Sequence, residues 1–229
     1  MRGSRRPMRL VDLARFRQAG YRLFSAALLY PDEERFKTLG AVAQELEGRS
    51  RRLAEFAFFP QWSRFVRALV TCRDVRAADL EKSYVRLFVV SPDGRCPPYA
   101  SHYLAPGAPA QVMAEVEAEY ARAGFSVPPS LGEPPDHVAV ELEFMSLLCA
   151  EEAEAWNRRR LGAAVLRLDR ETSFLGHHLS RWFPEFSGQV AHDGCGFYAL
   201  AADAARAFVI HDLDLISTLL GRYREVANT

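Results

Sequence analysis

What this chain lacks removes most chemistries from consideration. Cysteine is scarce: Cys72, Cys96, Cys149 and Cys195 lie far apart and form no CxxC pair. That argues against a zinc knuckle or a disulfide framework and fits a reducing compartment. No apolar run approaches the length of a membrane span. The sequence contains no GxxxxGK[ST] phosphate loop, no GxGxxG turn and no HExxH. It also lacks the ExxH pairs of di-iron bundles. His177 and His178 are adjacent, so they point apart on a helix, and His192, Asp193 and Cys195 form a partial ligand set without a fourth member. Cys96 has no base supplied to it.

Net charge is absent too, with 29 basic against 29 acidic residues. The arginines of the first third are spread through amphipathic helices, which argues against nucleic acid as a partner. The distribution is uneven, however. Residues 1–95 hold 19 Lys and Arg against 11 acids, whereas residues 96–157 hold Arg122 against ten acids. An acidic middle third can attract a basic partner, or can simply be a solvated face. Near the start, "SRRPMRL" (Ser4 to Leu10) imitates a twin-arginine export motif. An export signal needs an uncharged apolar segment next, but Asp12, Arg15, Arg17 and Arg22 come there instead. The stretch therefore reads as the basic lead of an amphipathic first helix in a chain that is not exported.

What the sequence does contain is helical periodicity. At 229 residues and 49% hydrophobic, the chain is long enough for one core, as a single domain or two small lobes sharing it. Leu13, Phe16, Gly20, Leu23, Phe24, Ala27 and Leu28 make one stripe, ending at Tyr30-Pro31. Further helices are expected near 33–47, 50–58, 61–71, 75–89, 110–123, 135–158, 160–183 and 196–223. No alternating strand with a hairpin turn is found, so the class is all-α, a bundle of about nine to twelve helices.

Two stretches interrupt this pattern: residues 91–110 and 126–136, dense in proline and glycine, on either side of a short helix. Rigid loops on a helical scaffold are where binding residues tend to sit. In the first, Tyr99 and Tyr103 come after a Pro-Pro step, a stiff aromatic surface suited to a peptide groove or to loop packing. In the second, "EPPDHVAVELEFM" (Glu133 to Met145) opens a helix; from Ser130 to Trp156 there is no Lys or Arg. Pro134 and Pro135 suit a first helical turn. Asp136 falls at or beside the N-cap, and His137 and Glu141 share a face. Glu141, Glu143, Glu151, Glu152 and Glu154 are expected on the outer faces.

Four stretches together resemble the TorD/DmsD family, chaperones that mature molybdenum-containing redox enzymes. "YVRLFVV…CPPYASHYL" (Tyr84 to Leu104) is similar to the family's Y-x-R-L-F followed by P-P-aromatic-x-S-x-aromatic-L. "EPPDHVAVELEFM" is similar to its E-P-x-D-H-x-x-x-E-L-x-F-M, and "FLGHHLSRWFPEF" (Phe174 to Phe186) to its F-x-x-x-H-L-x-x-W-x-P-x-F. The fourth is the first helix ending in "LLYP". Val89-Val90-Ser91 replaces the common Gly-Pro, Ala100 a small acidic residue or glycine, and Leu104-Ala105 the usual "LD" ending; these departures bear on which enzyme is served.

The resemblance implies an all-helical, non-catalytic cytoplasmic partner of a molybdenum-containing oxidoreductase catalytic subunit. Such a protein binds the subunit's twin-arginine leader, and some members also its body, until the molybdopterin guanine dinucleotide is inserted. It carries peptide and partner contacts to Asp136, His137, Glu133, Pro135, Tyr99 and Arg86. It implies no stably bound cofactor, with at most a weak contact to a guanine nucleotide or to molybdopterin guanine dinucleotide. It also implies a monomer, with a domain-swapped dimer as the alternative. A twin-arginine leader needs carboxylates for its guanidiniums and an apolar groove for the segment after them. On this reading Asp136 and nearby acids such as Glu133 receive the arginines, while Tyr99, Tyr103 and apolar residues from adjacent helices cradle the apolar segment. Two rivals remain: a small metal-dependent enzyme using His137, Glu141 and His178, and a helical adaptor for an unrelated protein.

Overall fold

The computed structural model describes residues 8–49, 53–71, 77–89, 96–193 and 196–227. The basic lead as far as Pro7, the loop residues 90–95, and Cys72 and Cys195 therefore lie outside the described residues. The helices, in chain order, are α1 (Leu10–Leu28), α2 (Glu33–Arg49), α3 (Phe59–Thr71), α4 (Ala77–Tyr84), α5 (Ala100–Leu104) and α6 (Pro109–Arg122). They continue with α7 (Val138–Asn157), α8 (Leu161–Phe174), α9 (Ser180–Asp193) and α10 (Phe197–Ala227). Among the described residues, the extended pairing is an isolated antiparallel bridge between Tyr99 and His137. The fold is all-helical, as the periodicity predicts. No helix among these residues is long and apolar enough to cross a membrane.

Three local features differ from the sequence reading. Residues 53–58 form tight turns rather than a helix. The short helix α5 sits inside the expected loop 91–110. The helix expected at 160–183 runs through a π-helical turn, Leu175–Leu179, and past Pro184 to Asp193. A proline inside a helix removes one backbone donor, and such π turns are frequent where a side chain must be re-aimed.

Helix α7 is the spine. Its residues from Val138 to Ala155 are largely buried, Val138, Leu142, Met145, Leu148 and Cys149 entirely so. A helix apolar on nearly all sides belongs in the centre of a bundle, and α7 has α1 along one side and α8 along another. A second centre of packing lies where α1 crosses α10. There Phe208 contacts the rings of Phe16, Tyr21, Phe24, Phe58 and Trp62 at centroid distances of 6.0, 5.1, 5.5, 5.2 and 6.0 Å. Gly20 makes this crossing feasible, because a Cβ there would stand 2.7 Å from Phe208 Cζ.

One charge is sealed into this core. The Arg17 guanidinium of α1 is 1% exposed and reaches carboxylates on three other helices. Its Nη1 donates to Glu152 Oε2 of α7 at 2.5 Å, its Nε to Asp212 Oδ1 of α10 at 2.5 Å, and its Nη2 to Glu171 of α8. Tyr21 Oη adds a 2.7 Å bond to Asp212. Three carboxylates around one cation carry excess negative charge. Burial, reinforced by Glu152 and Asp212 and opposed by Arg17, pushes the Glu171 carboxyl up to about 8. Sequence reasoning placed Glu152 on an outer face; it is 1% exposed and part of this cluster.

The crossing and the cluster each make a testable prediction. Gly20→Ala gains roughly 0.8–1 kcal/mol of helix propensity but forces Phe208 into a ring cage, an overpacking cost of about 1–3 kcal/mol. A net loss of about 1 kcal/mol should lower Tm by roughly 2–4 °C, and an unchanged Tm would show that Phe208 can retreat. Between about pH 4.5, where the unfolded carboxyl titrates, and about pH 8, folded Glu171 keeps a proton the unfolded chain has released. Its contribution to stability therefore falls as pH rises across that window and levels off above it. Urea midpoints of wild type minus those of Glu171→Gln, taken at several pH values, should trace that decline; a flat difference refutes it.

Candidate functional site

The two proline-rich loops meet at the entrance of α7. Val138 N donates to Pro98 O at 2.8 Å and Ala100 N to Asp136 O at 2.9 Å, which creates the Tyr99–His137 bridge. Pro134 and Pro135 lie in a turn before the helix, closed by His137 N to Pro134 O at 3.1 Å. Tyr120 Oη of α6 donates to Pro135 O at 2.8 Å, so the short helix between the loops is tied to the same point.

Asp136 is not the cap of α7. Its Oδ2 accepts from Ser101 N at 3.0 Å, so it satisfies a free first-turn N–H of α5, across the chain. It is 1% exposed, so its carboxylate does not face solvent where a guanidinium would approach. The sequence reading of Asp136 as an open acceptor is corrected on that ground. His137 is the N-cap instead: its Nδ1 accepts from Ala139 N at 3.1 Å. The ring proton is therefore on Nε2, which is buried without a hydrogen-bond partner. Burial pulls the His137 pKa down to about 4, so the ring is neutral at neutral pH.

His137 Nε2 points toward Glu133, 3.8 Å from its Oε2. Glu133 is half-buried, and that burial pushes its carboxyl up. Among the described residues, no Lys or Arg stands within ion-pair distance of it, and its one ion-pair neighbour is this uncharged histidine. Tyr99, also half-buried, packs edge-on against His137 with centroids 5.5 Å apart. Burial first, then the charges of Glu133 and Asp136, raises the Tyr99 pKa. Glu133, Tyr99 and His137 are thus brought together as expected.

The other candidates are dispersed. Glu141 is fully buried, not on the outer face where its spacing put it. It accepts from Trp182 Nε1 at 3.1 Å and pairs with His178 Nε2 at 2.8 Å, not with His137. Burial raises its carboxyl, partly offset by His178. The π turn carries His178 into that pairing. Tyr103 stacks on Trp182 at 5.6 Å and donates to Gln189 Oε1 at 3.0 Å, so it belongs to the α5–α9 packing. Arg86 is exposed on the π turn Val85–Val89. His137, Glu141 and His178 do not form a ligand set. The potential metal ligands that do gather among the described residues are Cys149, Glu152 and Glu171, and Arg17 already bridges that group.

A cleft of about 360 Å³ opens beside this site; the sequence reading expects an apolar groove here, but Tyr99 and Tyr103 do not line it. Ala26 of α1 and Leu29 just after it, Phe125, Val127 and Leu131 of the loop after α6, and Leu147 of α7 line it. Its floor is pinned by Ser25 Oγ donating to Ala139 O at 2.7 Å. The wall from the first helix lies more than ninety residues from the others in sequence, so no local pattern specifies where these walls meet.

Known proteins resemble this chain in sequence and in fold. The family model for the nitrate reductase delta subunit matches residues 41–187. The TorD chaperone of Vibrio cholerae (strain O395) is 29% identical over 216 residues, covering 91% of this chain and 84% of that protein. The TorD chaperone of Vibrio vulnificus (strain YJ016) is 32% identical over 168 residues, covering 70% and 75%. A crystal structure from Archaeoglobus fulgidus, described as a putative redox enzyme maturation protein, superposes with a TM-score of 0.53 at 25% identity. The superposition covers 84% of this chain and 91% of that one.

Proposed function

This chain belongs to the nitrate reductase delta subunit family as a TorD-type chaperone of redox enzyme maturation, and from that premise we propose how it holds its client. In this reading it works in the cytoplasm and binds the twin-arginine leader of a molybdenum-dependent oxidoreductase subunit. It releases the subunit for export after the cofactor is in place. The observation that carries the reading is Glu133, a partly desolvated carboxylate beside an aromatic face, with a neutral histidine as its neighbour.

Such a carboxylate gains from a guanidinium, whose planar fork matches its two oxygens. Tyr99 offers a ring face for the same cation, an interaction of about 0.5–1 kcal/mol at exposed sites. Neutral His137 does not compete with the incoming charge. Asp136 and His137 act beneath this surface, holding the two proline loops in register. The acids of the middle third draw the basic leader in.

The test separates Glu133 from Asp136. Glu133→Gln should keep its Tm and weaken a synthetic leader by several-fold in calorimetry, as expected for one partly exposed pair of about 1 kcal/mol. Asp136→Ala leaves a buried N–H unpaired, so it should lose about 1–3 kcal/mol of stability with little change in affinity while folded. Unchanged leader affinity in Glu133→Gln would remove Glu133 from the site.

A further inference from the structure

One motif of the sequence has no part in the function proposed above. Residues 1–9 carry Arg2, Arg5, Arg6 and Arg9 and no acid, and Ser4-Arg5-Arg6 has the arginine pair of a leader. Arg9 is committed to Asp12 of α1, its Nε donating to Oδ2 at 2.7 Å. Arg5 and Arg6 precede the described residues, so chain length and charge bound what they can reach.

The carboxylate suited to an arginine pair lies at the other end of the α1–α7 seam. These helices run antiparallel, because Arg17 meets Glu152 at one end and Ser25 meets Ala139 at the other. Glu133 comes before the first turn of α7, on the Ala139 side, next to the N-cap His137. Leu10, where α1 begins, is fifteen residues before Ser25, a helix length of about 22 Å. Arg6 is four residues before Leu10, and its backbone reaches back at most about 14 Å. Within one chain that backbone stops roughly 8 Å short of Ala139, and Glu133 comes after that gap. A second copy imposes no such limit.

We propose that Arg5 and Arg6 of one copy dock at Glu133 of a second copy, so that the protein masks its own binding face until a client arrives. The assignment rests on the functional reading of Glu133 and adds a competitor for it. Charge complementarity selects the occupant. Among the described residues no Lys or Arg stands within ion-pair distance of Glu133, and the run from Ser130 to Trp156 supplies none. Because the basic lead and Glu133 belong to opposite ends of one seam, two copies with their seams antiparallel place both leads on both carboxylates at once. A two-fold contact of this kind is closed, so pairing ends at the dimer. Exposed arginine–carboxylate pairs are individually weak and are screened by salt. Arg9 and Asp12 also stand where a leader continues with uncharged residues. The lead is therefore a weak occupant that a client's leader displaces.

Sedimentation of the full chain over a range of concentrations tests it, with Tm checked for every variant. Wild type should form a dimer that raised salt or a short synthetic arginine-pair peptide dissociates. Arg5→Gln combined with Arg6→Gln, and separately Glu133→Gln, should each weaken self-association about tenfold. Mixed in equal amounts, the two variants should associate again, since one brings an intact lead and the other an intact Glu133. Where wild type is dimeric, the arginine variant should bind the peptide several-fold tighter than wild type does. A wild type that stays monomeric, a dimer untouched by either variant, or a mixture no better than its components overturns the proposal. Tighter peptide binding by the arginine variant at every protein concentration places the lead in its own chain and overturns it likewise. Calorimetry with a client leader separates this from the functional reading. If Glu133→Gln weakens the leader but leaves self-association unchanged, self-docking falls and the functional reading stands. If it weakens self-association but leaves leader affinity unchanged, the functional reading falls and self-docking stands.

Discussion

The guanidinium of Arg17 joins four helices that are far apart in sequence, and the rest of the architecture depends on that junction. It reaches from α1 to Glu152 on α7, Glu171 on α8 and Asp212 on α10, all out of contact with water. A buried ion cluster contributes little net stability compared with well-packed apolar residues, but removing one member leaves uncompensated charge worth about 3–5 kcal/mol. Its contribution here is to register: the three acids can be satisfied together only when α1 lies antiparallel to α7 and α8 and α10 close over it. The Gly20–Phe208 contact sets how closely α1 and α10 approach. Together these fix the α1–α7 seam in which the cleft opens.

Above that clamp, the protein uses backbone rather than charge to build its binding face. Two proline-rich loops, stiff but with little regular structure of their own, are joined by the bonds of Pro98, Ala100, Ser101, Asp136 and Val138. Asp136 is committed to this joint through Ser101 N, and His137 through its Nδ1 to Ala139 N. What it leaves free is Glu133 and Tyr99 on the outside, and the neutral Nε2–H of His137 below them. Among the described residues no Lys or Arg stands within ion-pair distance of Glu133, which is carried on this backbone-held face beside an apolar cleft.

Much of this was legible without coordinates. Apolar spacing identified the principal helices, proline and glycine marked the loops, and the Glu133–His137 stretch pointed to the place where the two loops join. Face arithmetic failed at Glu141 and Glu152. Both have the spacing of outward-facing acids, yet α7 is surrounded on nearly all sides and has no outer face at those positions. The signal was present in the run itself, rich in apolar residues that exceed a single stripe and without a single cation from Ser130 to Trp156. The partners of the buried acids, Arg17 and His178, lie 135 and 37 residues away.

The sequence alone determined helix content, the stiffness of the two loops and the family motifs, because each depends on residues within a few positions of one another. Tertiary structure decided which acids are buried against other helices and which stay partly exposed. It turned Asp136 toward Ser101, Glu141 toward His178 and Glu152 toward Arg17, and it left Glu133 facing outward. The physical reason is that a carboxylate's role is set by its solvation and its nearest cation or N–H. In a helical bundle those are supplied by other helices, at sequence separations that no local pattern encodes.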